Sequence, residues 1–143
     1  MDKVFVDTDV VIDFLIDREP HIRHSSLIFS LAEKKKLQVY ISTLSINNIY
    51  YVTRRIIGHK KALEIIKNLI EIVEIQSVDK HEILSALDSG FKDFEDGVQH
   101  ASALHIKGLK GIIARNIKDY KKAQVAVFTP ESFLKVFKSK SHG

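Results

Sequence analysis

The chain has 143 residues, 45% of them hydrophobic and 28% charged, with a net charge of +4; that length suits one domain with its own core, and the balance is that of a globular protein, not a disordered tail. With no cysteine, it can build neither a disulfide framework nor a thiolate metal site, which fits a reducing cytoplasm. Asp7, Asp9 and Asp13 interrupt the first apolar stretch and exclude a signal-peptide core or membrane span there.

Val4-Phe5-Val6 is a β-branched and aromatic run expected to form a buried strand, with Asp7 and Asp9 where it ends. Val11, Ile12, Leu15 and Ile16 recur at helical spacing, which predicts a short helix over 9–16. Pro20 marks a break, and a longer helix is expected over 22–36, then a strand over 37–41 with Ser42 and Thr43 at its end. Helices follow over 45–57, closed by Gly58, and over 59–70. Residues 71–75 alternate as a half-buried strand does.

Asp79 and Glu82 stand at capping-box spacing and open a helix expected to end at Gly90. Phe94, Val98, Ala101 and His105 trace the next helix; residues 111–114 and 125–128 read as strands, and Thr129-Pro130 opens a final helix. Strands alternating with helices predict an α/β fold with a parallel sheet covered on both faces. The expected organisation is a single domain over 1–137 and a polar tail over 138–143.

In open α/β sheets ligands bind outside the carboxyl ends of the strands, which puts Asp7 at the floor of a crevice; an Asp there also serves as a helix cap. Asp96 falls at a helix start, Asp119 beyond the Ile112-Ile113 strand, and Asp93 shares a helical side with Asp96. Converging carboxylates raise one another's pKa unless a cation neutralises them. Mg²⁺ or Mn²⁺, hard and oxygen-seeking, suits that role and activates water for attack on a phosphodiester. Basic clusters at Lys34-Lys35-Lys36, Arg54-Arg55, Lys60-Lys61 and Lys118, Lys121, Lys122 suit a phosphate chain as partner. No zinc-spaced histidine pair appears, and His81, His100 and His105 read as surface or structural residues.

The strand followed by Asp7-Thr8-x-Val10-x-x-Asp13 resembles the opening of PIN domains, which are metal-dependent ribonucleases. Residues 40–45 with Asn48-Ile49-Tyr50-Tyr51 resemble that family's second motif, 93–101 its third, 112–120 its fourth, and 127–134 its close. The resemblance implies a three-layer α/β/α sandwich with a mostly parallel sheet, in which Asp7, Asp96 and Asp119 hold Mg²⁺ or Mn²⁺. Asp93 or Glu95 would be auxiliary acids, Asp9 would stand beside Asp7, and Ser42 and Asn116 would position the acids by hydrogen bonds. Arg54, Arg55, Arg115 and Lys118 are the candidate contacts to RNA phosphates. It also implies a cytoplasmic VapC-type toxin, an RNA substrate, a cognate antitoxin and a possible homodimer.

Two positions depart from the family pattern: Asn48 stands where the family carries Glu, and Ala114 where it carries Thr. Losing that charge is expected to weaken Mg²⁺ binding by on the order of 1–3 kcal/mol, with Glu95 as the compensating acid. Two further readings follow. One is a catalytically degenerate PIN fold that binds RNA or protein. The other is a haloacid-dehalogenase-like phosphatase, with Asp7 as nucleophile, Asp9 as acid and Ser42 in its second motif.

Overall fold

The computed structural model describes residues 1–141, with side chains described through Lys138. β1 (Lys3–Val6) is buried on both faces, because Val4 and Val6 point to one side of the pleat and Phe5 to the other. It is the middle of a five-stranded sheet ordered β3-β2-β1-β4-β5, with β2 at Gln38–Ser42, β3 at Glu74–Gln76, β4 at Leu109–Ile113 and β5 at Val127–Phe128. Every pairing is parallel. β4 meets β5 closely at Gly111, where a Cβ would fall 2.6 Å from the Ala126 carbonyl oxygen.

On one face lie α1 (Thr8–Leu15), α2 (Ile22–Glu33), α3 (Thr43–Ile57), α4 (His59–Ile72) and α7 (Pro130–Ser141). Val4, Val6, Val39, Ile41 and Ile113 of the sheet pack there against Val11, Phe29, Ile49, Leu69 and Phe133. On the other face Phe5 and Ile112 meet Ala103 of α6 (Phe94–Ala103), Ile106 and Tyr120. α5 (Lys80–Leu87) packs against α6. The architecture is the expected three-layer sandwich.

Several boundaries differ from the sequence reading; α2, for one, ends at Glu33 instead of 36. α4 runs to Ile72, so the strand expected over 71–75 shrinks to Glu74–Gln76; Leu69, Ile72 and Val73 also satisfy helical spacing, and the helix takes the segment. α5 stops at Leu87, short of Gly90. α7 continues to Ser141, so 138–141 extend a helix where a tail is expected, and 142–143 lie outside the described residues. Among the described residues no helix is long and apolar enough to cross a membrane.

Candidate active site

The site forms where β1 stops. Asp7 is still extended (φ −66°, ψ 151°) as it caps α1, and its main chain does the capping: the Val10 and Val11 amides donate to its carbonyl oxygen at 3.1 and 3.3 Å. Its side chain makes no cap hydrogen bond to α1, so the capping role does not account for the carboxylate. The Asp7 amide donates to Ile113 O at 2.9 Å, which ties the residue to the end of β4 as well.

Asp93 caps α6, its Oδ1 accepting the Asp96 amide at 3.0 Å. That cap sets Asp96 in the first turn, facing Asp7 and Asp119. Asn116 Oδ1 accepts the Lys118 amide at 3.1 Å and opens the short 3₁₀ helix Ile117–Tyr120 that carries Asp119. Asp7, Thr8, Asp9, Asp93, Glu95, Asp96 and Asp119 then line one cleft of about 240 Å³.

Crowding and burial raise the pKa of three of these acids, Asp7, Glu95 and Asp96. Burial, and then the Asp9 charge, push Asp7 up to about 7; the Thr8 amide and the Tyr120 hydroxyl beside it pull the other way less strongly. Burial, followed by Asp7, Asp93 and Asp119, pushes Asp96 to about 7 as well. Glu95 is raised by burial and by Asp93. The Tyr120 hydroxyl is buried with no well-formed hydrogen bond, and burial and the Asp7 charge raise its pKa. An all-oxygen donor set with two neighbouring carboxyls this far raised fits a hard divalent cation, and Asp7, Asp96 and Asp119 are the residues that would hold it.

Beneath the acids runs a buried polar network. The hydroxyls of Thr8 and Ser45 are hydrogen-bonded at 2.7 Å, and Gln99 Nε2 donates to both, at 2.8 and 2.9 Å. Neither Ser45 nor Gln99 stands out as a site residue in the sequence. Gln99 lies inside the third-motif stretch, but its reach to a residue 91 positions away has no sequence signature.

The remaining candidates divide. Asn48 lies at the rim, its amide donating to Glu95 Oε1 at 2.8 Å. Ser42 is fully buried and caps α3 by accepting the Ser45 amide at 3.1 Å, so it reaches the cleft only through Ser45. That burial also removes the exposed second-motif hydroxyl that a phosphatase of the haloacid-dehalogenase kind requires. Arg54 and Arg55 occupy the last turn of α3, on the order of 16 Å along the helix from its cleft end, and do not line the cleft. Arg115 is committed to Asp13, which is 1% exposed. Lys118 lines an adjoining groove of about 280 Å³ with Lys92, Lys121 and Lys122, and that groove shares Asp93, Asp96 and Asp119 with the cleft.

Fold and site together define a class: an α/β protein with a carboxylate-lined cleft at the carboxyl edge of a parallel sheet. The chain belongs to the PIN-domain family, which matches residues 3–118. It is 33% identical over 137 residues to Ribonuclease VapC1 of Aquifex aeolicus (strain VF5), covering 92% of this chain and 93% of that protein. Its fold is similar to that of Mycobacterium tuberculosis VapC20, a sarcin–ricin loop cleaving toxin, at a TM-score of 0.64 and 18% identity over 82% of this chain and 92% of that one. It is also similar to a chain of a toxin–antitoxin complex from Klebsiella pneumoniae, at a TM-score of 0.64 and 21% identity over 89% and 97%.

Proposed function

We propose that this chain is a divalent-metal-dependent endoribonuclease and the toxin of a toxin–antitoxin pair, acting in the cytoplasm. The observation that carries the reading is the convergence of Asp7, Asp96 and Asp119 in one acidic cleft whose outer wall is a lysine-lined groove. An RNA strand offers what both halves need: phosphates for Lys92, Lys118, Lys121 and Lys122, and a phosphodiester to present to the acids. Mg²⁺ or Mn²⁺, held by Asp7, Asp96 and Asp119, would supply charge stabilisation and an activated water.

The chain's own residues do the rest. In the metal-free cleft burial and neighbouring charges raise the pKa of Asp7 and Asp96, and a bound cation would relieve that crowding and hold both as carboxylates. Asn48 holds Glu95 at the rim, and Gln99 holds Thr8 beneath Asp7. In this reading Asp93 and Asn116 are positioning residues that set Asp96 and Asp119 through their caps. The relatives named as ribonuclease and as toxin support the activity and an antitoxin partner. Leu27 and Ile56, each at least half exposed, are apolar residues available to such a partner or to a second copy.

The test is cleavage of single-stranded RNA by the purified chain with Mn²⁺ or Mg²⁺, with and without chelator, beside Asp96→Asn. Cleavage that needs metal and Asp96 supports the reading. RNA binding without cleavage would instead favour the degenerate fold that Asn48 suggests.

A further inference from the structure

Away from the acidic cleft, the packing of α5 on α6 assembles a second group of ligand-type side chains. His81 and His105 are 24 positions apart in sequence, yet their rings face each other at 5.5 Å between centroids and 64° between planes. Glu82 sits with them: its Oε2 lies 3.0 Å from His105 Nε2, and one ligand atom from each of the three residues falls within 4.8 Å of the others.

Glu82 is already aimed. It is 5% exposed, and its Oε1 accepts the Asp79 amide at 2.7 Å as part of the capping box of α5, which leaves Oε2 turned to the histidines. His81 and His105 are exposed, so their rings can close by rotation at little cost. Nitrogen and oxygen ligands on a tetrahedral zinc at about 2.0–2.1 Å stand roughly 3.4 Å apart, a separation the Glu82–His105 pair nearly has. The dipole of α6 agrees as well. His105 follows the carboxyl end of α6, which favours a cation, and Glu82 in the first turn of α5 offsets the positive end of that helix.

We propose that His81, Glu82 and His105 form a transition-metal site for Zn²⁺, with the fourth position open to solvent. Two imidazoles and one carboxylate suit a borderline ion, whereas the all-oxygen cleft suits Mg²⁺ or Mn²⁺, so the two sites sort metals by donor chemistry. Asp96 and His105 are nine residues apart, on the order of 13 Å along a helix, so the sites are distinct. Zinc there would pin the first turn of α5 to the far end of the helix that carries Asp96.

The probe is Zn²⁺ alone, titrated into the untagged full chain carrying Asp7→Asn and Asp96→Asn, which disables the acidic cleft. One zinc per chain is expected to bind and to raise the melting temperature. Adding His81→Ala or His105→Ala should weaken binding at least about tenfold and abolish the thermal shift. Co²⁺ bound in place of zinc should give the strong visible absorption of four-coordinate nitrogen and oxygen ligation. The proposal is overturned if zinc gives no thermal shift, or if binding is indifferent to both histidine substitutions. His81 makes no hydrogen bond or ion pair to any described residue beyond its ring contact and the backbone of α5, so its variant decides the matter even if His105→Ala perturbs folding.

Discussion

The side-chain amide of Asn48 donates to Glu95 Oε1 at 2.8 Å. The position where PIN domains carry a second-motif acid is thus linked, here, to an acid from α6. Asn48→Glu would replace a donor with a second carboxylate against Glu95. The metal-free protein should lose about 1–3 kcal/mol of stability, because the pair repels and Glu95 loses its partner. Affinity for Mn²⁺ should rise by a comparable ~1–3 kcal/mol, since the added charge is neutralised only when the cation is bound. Urea unfolding with chelator and calorimetric Mn²⁺ titration read the two effects separately. An unchanged Mn²⁺ affinity would mean that residue 48 stands outside reach of the cation.

The raised carboxyls carry a pH signature of defined sign. Asp7 and Asp96 sit at about 7 in the fold against an ordinary value of 3.8. The folded state therefore binds more protons than the unfolded chain between those values. Their contribution to stability is complete below about pH 4 and lost as pH rises through about 7, on the order of 4 kcal/mol for Asp7. His100 acts in the opposite direction: burial lowers its pKa, and its Nε2 accepts the Gln124 amide at 3.0 Å, so its contribution is lost as pH falls. Comparing wild type with Asp7→Asn in melts from pH 5 to 8 with chelator isolates the acid term. The wild type should fall more steeply, and saturating Mg²⁺ should restore it above pH 7. Equal slopes in the two proteins would count against Asp7 titrating there.

Much of this was legible in the chain, for local reasons. Val4-Phe5-Val6 alternates about a buried strand, Asp79 and Glu82 announce a cap, and Asp7 follows the strand whose carboxyl end faces the site. Each is a short-range pattern with its own physics. What could not be read is pairing at a distance. Nothing near Gln99 indicates Thr8 and Ser45 as its partners, and nothing near His81 indicates His105. Arg115 reads in the sequence as a candidate contact to RNA phosphates; only folding brings buried Asp13 to it. The strand misplaced at 71–75 failed because Glu71-Ile72-Val73 satisfies both periods until Leu69 is packed.

Arg115 makes the next prediction. Its Nε donates to Asp13 Oδ2 at 3.2 Å and its Nη2 pairs with Oδ1, while Arg18 stands 3.5 Å from the same carboxylate. Removing it leaves a buried charge with only the longer Arg18 contact. Arg115→Met should therefore cost about 3–5 kcal/mol, the range for breaking a buried pair. Asp13→Asn in the same chain should recover part of that loss by removing the stranded charge. Denaturant unfolding of both variants checks this. If Arg115→Met keeps full stability and instead weakens RNA binding with a shallower salt dependence, Arg115 is a phosphate contact after all.

The lysine groove separates phosphate binding from chemistry. Lys118, Lys121 and Lys122 share a wall with Asp93, Asp96 and Asp119, yet each is exposed and makes no ion pair with them. Changing each to Gln should leave folding within about 0.5 kcal/mol, as exposed substitutions generally do. For single-stranded RNA each phosphate contact contributes a slope of about −0.7 to the dependence of log affinity on log salt. The triple variant should therefore flatten that slope by up to about 2 while Mn²⁺ affinity does not fall. Removing positive charge beside a carboxylate pocket should, if anything, strengthen cation binding. Fluorescence anisotropy of a labelled RNA across a salt series, on an Asp96→Asn background that prevents cutting, gives the slope directly. A slope unchanged by the triple substitution would move the RNA path off this groove and onto another face of the cleft.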